Sequence, residues 1–336
     1  MKKRYIAFIL VVIMIFCSMC TLNVYAINKT DDIITIEKLA LNENKNVNRD
    51  KEIITPYNYP ATPGTDVWDS LDIDTKISIS SISENTAGNM TTSALLITTL
   101  QYPFIINIYA YDTIEEGINI VKGYFSPLSE LVERTDAIDV ISAYISFCQA
   151  QENTDSMEFY IASRLRQYIS SQTGVRPHIA MDPITGEPHD QVRTPKGSLV
   201  PVYYNLSWSN FNTTYDECYQ YSVRAQSTYG ATIISNPSPK YNCHSYAWHH
   251  ASTSNKFWMN SPGRYIIDGS YVSGSKATGN KVTYKNSSGK YTHSGIVHSS
   301  GKITSKWGPS ALMRHDVYSC PYYVAGATVN YWKSNT

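Results

Sequence analysis

Two stretches decide the reading of this chain: Tyr241-Asn242-Cys243-His244-Ser245-Tyr246-Ala247-Trp248 and, further on, Thr292-His293-Ser294-Gly295-Ile296-Val297. Pro237 and Pro239 forbid a helix ahead of the first stretch, and the run from Ser245 to His250 permits one, so Cys243 falls at a helix start. Unpaired N–H groups and the helix dipole favour an anion at such an end, and a cysteine needs that help because its free thiol is little ionised near neutrality. His293 stands at the head of the strand-like run Ser294 to Val297, where a fixed backbone direction makes its ring position reproducible. A nucleophilic Cys243 and a general base His293 on two rigid elements are the parts needed for covalent attack on an amide.

Around these stretches, residues 200–336 are predicted to be α+β. Thr214 and Glu217 form a capping box for a helix that runs to about Tyr229 and is stopped by Gly230. Lys281 to Lys285, Tyr291 to His298, Lys302 to Lys306, Val317 to Tyr323 and Ala327 to Trp332 read as strands of a small antiparallel sheet. Upstream, residues 84–172 carry apolar positions three and four apart and good start signals, which predicts an all-α helical module. Cys148 lies on one of its apolar stripes as a core thiol. Residues 27–83 read as an extended leader without a core of its own, and the Pro- and Gly-rich segment 173–199 as a linker. His178 and His189 lie in that linker among acidic residues, but without the ordered spacing of a metal loop.

Lys2, Lys3 and Arg4 precede an apolar run from Ile6 to Cys17, and Val24-Tyr25-Ala26 supplies small residues for cleavage, so residues 1–26 are expected to be a secretory signal peptide. The product is then secreted and extracellular, with cell-wall association as an option and no stable membrane anchor. The 28 basic and 28 acidic side chains balance, without the basic clustering of a nucleic-acid footprint. Twenty-seven tyrosines suit a polar-aromatic surface that holds peptides or glycans, and suit an AT-rich bacterial coding sequence equally.

At its functional stretches the chain resembles the CHAP amidase/peptidase family and, more distantly, the NlpC-type members of the papain-like group. Cys243-His244-Ser245-Tyr246-Ala247-Trp248 is similar to the family's Cys-x-x-Tyr-Ala-Trp helix start, and Gly279-Asn280-Lys281-Val282 to its Gly-Asp-x-Val strand. Thr292-His293-Ser294-Gly295-Ile296-Val297 is similar to its Gly-His-x-Ala-x-Val strand, and the resemblance spans residues 230–334. It implies a papain-like cysteine hydrolase core, helices packed on a small antiparallel sheet, that cleaves peptide bonds of peptidoglycan with no cofactor and no metal. The family's third, acidic or amide, residue falls near Thr304-Ser305-Lys306-Trp307-Gly308. Ser305 is the candidate there, with Lys306 and His315 as alternatives; a neutral hydroxyl orients an imidazole less firmly than a carboxylate. The oxyanion would be held by the Cys243 backbone N–H with a donor such as Tyr241 or Asn242. Trp248 and Trp307 are further candidates for contact with substrate.

Other readings remain open. Cys243, His244, His249, His250 and His293 could group around zinc, although no Cys-x-x-Cys or His-Glu-x-x-His spacing is present after residue 26. The chain could be a non-catalytic binding protein on a degenerate hydrolase scaffold, or a processing peptidase or toxin acting on protein, whose helical module recognises a protein partner. Cys218 and Cys320 could be a disulfide or two buried thiols. Trp258, Tyr265, Asp268, Tyr271, Trp307 and Arg314 are candidates for the cleft wall, with packing in the core as the competing role.

Overall fold

Capping side chains set most helices of the N-terminal half. In this computed structural model, which describes residue 35, residues 53–172 and residues 190–335, Thr65 caps α1 (Asp66–Ser70), Asp72 α2 (Ile73–Ile79), Ser83 α3 (Glu84–Asn89) and Thr91 α4 (Thr92–Gln101). Thr113 caps α5 (Ile114–Lys122), and α6 (Ser126–Glu133), α7 (Ala137–Ala150) and α8 (Met157–Gln172) follow. Every residue of α4 from Thr92 to Leu100 is buried, so this helix is the axle of the half. The signal peptide and the linker histidines His178 and His189 lie outside the described residues.

Residues 66–79, expected to be extended, hold two short helices, and Trp68 of the first is buried with its Nε1 donating to the Thr228 carbonyl oxygen (3.0 Å). Helices this short show too little periodicity to be read, although their caps were there to see. The end of the expected linker is also ordered: β1 (Asp190–Arg193) pairs antiparallel with β2 (Leu199–Tyr204).

The Thr214–Glu217 capping box starts α9 (Tyr215–Tyr229), and Gly230 ends it at φ 62°, a left-handed conformation that suits glycine. Then come β3 (Thr232–Ser235), α10 (Cys243–Trp248), β4 (Phe257–Trp258), α11 (Gly263–Ile267) and β5 (Tyr271–Ser273). The chain closes with β6 (Lys281–Lys285), β7 (Tyr291–Val297), β8 (Ile303–Lys306), β9 (Leu312–His315), α12 (Pro321–Val324) and β10 (Thr328–Ser334). Val317 to Tyr323, expected as a strand, is instead a turn leading into α12, because Pro321 suits the first turn of a helix and has no N–H to give a ladder.

The fold is α+β, with antiparallel sheets in the orders β3-β9-β8-β7-β6-β10-β5 and β1-β2-β4. The seven-stranded sheet is larger than expected. Its two faces alternate as the pleat demands. Val282, Tyr284, Val297, Ile303, Trp307 and Met313 join the helical half in one core, whereas Ile296 and Leu312 pack on Tyr241 and Tyr246 around α10. The helical residues and the strands are therefore not separate packing units. Among the described residues no helix is long and apolar enough to cross a membrane.

Candidate functional site

Asn242 builds the start of α10. Its Oδ1 accepts from the backbone N–H of Ser245 (3.1 Å) and Met259 (3.2 Å), and its Nδ2 donates to the Met259 carbonyl (2.8 Å). The amide is thus committed to holding the turn. Tyr241 is buried against Tyr246 and under the Lys306 ammonium, 5.2 Å from the ring centre. Neither side chain lines the cleft, which leaves the backbone N–H of Cys243 as the oxyanion donor of the expected set.

Cys243, the first residue of α10, lines a cleft of about 370 Å³ whose other walls include Asp112, His244, Asn260, Lys290, Gly308 and Tyr322. Burial and then the Asp112 carboxylate push the thiol well up, while the backbone N–H groups of Ser294 and His244 pull it down. The resting group is a thiol. The Ser294 N–H reaches the sulfur, so Cys243 lies against the β7 backbone beside His293, but the His293 ring does not line the cleft.

His244 ties α10 to β7. The Trp248 indole gives its N–H to Ser294 Oγ (2.9 Å), and the same hydroxyl is hydrogen-bonded to His244 Nδ1 (2.8 Å). Burial holds the ring's pKa at about 4, so it is neutral.

His293 lies fully buried on the opposite face of β7, stacked on the Tyr322 ring at 3.7 Å and 9° and 5.4 Å from Tyr284. Neither of its ring nitrogens has a hydrogen-bond partner among the described residues. Burial, then His315 and His244, drive its pKa well below the usual value, so it too is neutral.

The third-position candidates do not reach this ring. Ser305 Oγ accepts from Trp307 Nε1 (3.0 Å) and donates to His315 Nε2 (2.9 Å), and His315 Nδ1 donates to the Asp316 carbonyl (2.8 Å). Burial lowers His315 to about 4. Lys306 donates to the carbonyl oxygens of Ser238 (2.9 Å), Gly308 (2.8 Å) and Ser310, pinning the turn after β8. Burial lowers it to about 7, opposed by the Cys218 and Cys243 sulfurs. In place of a third side chain, Tyr322 holds the His293 ring by stacking.

The expected aromatic contacts belong to the core. Trp248 packs on Tyr265 and Tyr271, Trp307 on Tyr221 and Tyr229, and Trp258 on Phe211. Asp268 accepts from Thr194, and Arg314 donates to Thr304 (3.3 Å). None of them lines the cleft. Cys148, Cys218, Cys243 and Cys320 are all free and buried, so Cys218 and Cys320 are two thiols rather than a bridge. Among the described residues no three His, Cys, Asp or Glu side chains converge as a metal site. Asp112 and Tyr322, missed in the sequence, come to the cleft only through tertiary packing, Tyr322 by donating its hydroxyl to the Ala110 carbonyl (2.7 Å). No protein-family model, curated protein or solved structure matches the chain, so the chemistry of this cleft has to be read from its own side chains.

Proposed function

We propose that the protein is a secreted cysteine hydrolase with a papain-like core, cleaving amide bonds in peptidoglycan peptides. The observation that carries this reading is the placement of Cys243: at a capped helix start, on a cleft, and against the β7 backbone at Ser294, the residue next to His293, whose imidazole is neutral with unclaimed nitrogens and lies on the other face of the strand. His293 accepts the thiol proton as the sulfur attacks the substrate carbonyl carbon, and the backbone N–H of Cys243 receives the oxyanion. The C–N bond breaks as the imidazolium returns its proton to the leaving amine, giving a thioester. Water, losing a proton to His293, then displaces the sulfur and releases the acid, and the imidazolium restores the thiol.

Zymography on purified cell wall with Cys243→Ala as control tests the reading. Clearing by the wild type and none by the variant is expected; equal clearing by both would sink it. Cleavage of protein but not of wall would point to a processing peptidase or toxin. The missing bond between Cys243 and a base favours one rival, a binding protein on a decayed scaffold. Iodoacetamide separates the two: selective labelling of Cys243 that rises with pH and disappears in His293→Ala supports the hydrolase, and slow, equal labelling of all the thiols supports the binder.

A further inference from the structure

Beside the Cys243 cleft lies a larger cavity of about 520 Å³, walled by α5 and α8 on one side and by the turn 208–211 and the β6–β7 hairpin on the other. Thr113, Glu116, Lys290 and Thr292 line both spaces, so the two are continuous. No residue of the catalytic proposal lies in the larger one.

Its polar lining is unusual in one respect. Arg164 Nη1 donates to Gln167 Oε1 (3.0 Å) and Asn212 Oδ1 (3.4 Å), the Ser207 N–H to Asn210 Oδ1 (2.9 Å), and the Lys290 N–H to Asn286 Oδ1 (2.9 Å). Each of these partners can only donate, which fixes the orientation of these four carboxamides, and a fifth, Asn119, accepts from the Tyr168 hydroxyl (2.7 Å). Their oxygens are taken, and their NH₂ groups have no partner among the described residues. The cavity therefore offers donors. Its cations are already matched, Arg164 by Glu217 (2.7 Å) and Lys290 by Glu116 (3.6 Å), so none is left over for a carboxylate or phosphate. Ile114 and Ile120 add apolar surface.

We propose that this cavity is a subsite for an uncharged, extended stretch of peptide. Backbone carbonyls, which only accept, match the unpaired NH₂ groups, and the Glu115 carboxylate in the same lining can accept from the backbone N–H groups of such a stretch. The peptide runs from the subsite past Thr292 to Cys243, and this assignment of the substrate rests on the hydrolase reading.

Calorimetry of full-length Cys243→Ala protein with N-acetylated, C-amidated hexapeptides of Ala, Gly and Tyr tests it. Gln167→Glu with Asn212→Asp keeps the acceptors for Arg164 and removes the donors, and is expected to weaken binding ~10-fold or more with the unfolding midpoint little changed. Asn286→Asp, which leaves Arg164 untouched, is expected to weaken it less. Absence of peptide binding, unchanged affinity in these variants, or tighter binding of N-acetylglucosamine oligomers than of peptide overturns the subsite. The two proposals fail separately. Cleavage by the wild type with KM unmoved in the double variant removes the subsite alone, and amide-dependent binding without any cleavage removes the hydrolase alone.

Discussion

Strand β7 has a buried histidine on each side, His244 of α10 against its Ser294 face and His293 projecting from the other. The first sits in a closed chain of hydrogen bonds running from Trp248 through Ser294 to its ring. The second has an aromatic ring against its face and nothing at its nitrogens. An unpaired polar group in a dry site costs about 1–3 kcal/mol. The difference teaches where to look for chemistry: the satisfied histidine builds the frame, and the unsatisfied one is free to take a proton.

The largest expected effect lies between the two faces, at the sulfur. Cys243→Ala should lower wall hydrolysis by at least ~10³-fold while the circular dichroism spectrum is kept. His293→Phe preserves a ring to stack on Tyr322 and removes the orphan nitrogens. It should cost ~10²–10⁴-fold in turnover with unfolding free energy unchanged or raised; a large loss of stability would mean that the nitrogens had partners after all.

Acid should act on both faces at once. Burial holds His244 and His315 near 4 against an ordinary 6.5, and His293 moves in the same direction. Above pH 6.5 both folded and unfolded chains keep these rings neutral, and the stability is fully present. As pH falls below that value the unfolded chain takes up protons first, so stability drains away until about pH 4. Urea unfolding at pH 7 and pH 4 should differ by roughly 3 kcal/mol for each of the two rings; a flat profile would refute their burial as neutral groups.

Smaller effects sharpen the contrast. His244→Phe strands Ser294 and should cost about 2 kcal/mol, the opposite of His293→Phe. Ser294→Ala leaves the Trp248 N–H and His244 Nδ1 without their shared partner and should cost about 1–2 kcal/mol, read from the same urea curves.

Features set by a few neighbouring residues were legible in the sequence. The proline break before Cys243, the Thr214–Glu217 box, the Gly230 stop and the turn-bounded runs of β6 to β8 each rest on local chemistry. Period two also says that His293 and Ser294 face opposite ways. Which of those faces receives α10 is a tertiary outcome, and so is the arrival of Asp112 and Tyr322 at the cleft. Ser305 looked available as an orienting group because nothing local shows that Trp307 and His315 claim its hydroxyl.

The bond from the Tyr322 hydroxyl to the Ala110 carbonyl joins residues 212 positions apart, and the core around it reaches from Tyr59 to Ala327. Synthesis delivers the chain from its N-terminus, so the helical half emerges long before the strands that complete its core. Contacts so distant in sequence are slow to form. The early helices must wait with their apolar sides open, and a nascent chain released before Tyr322 would be expected to aggregate or be degraded rather than fold as a smaller protein.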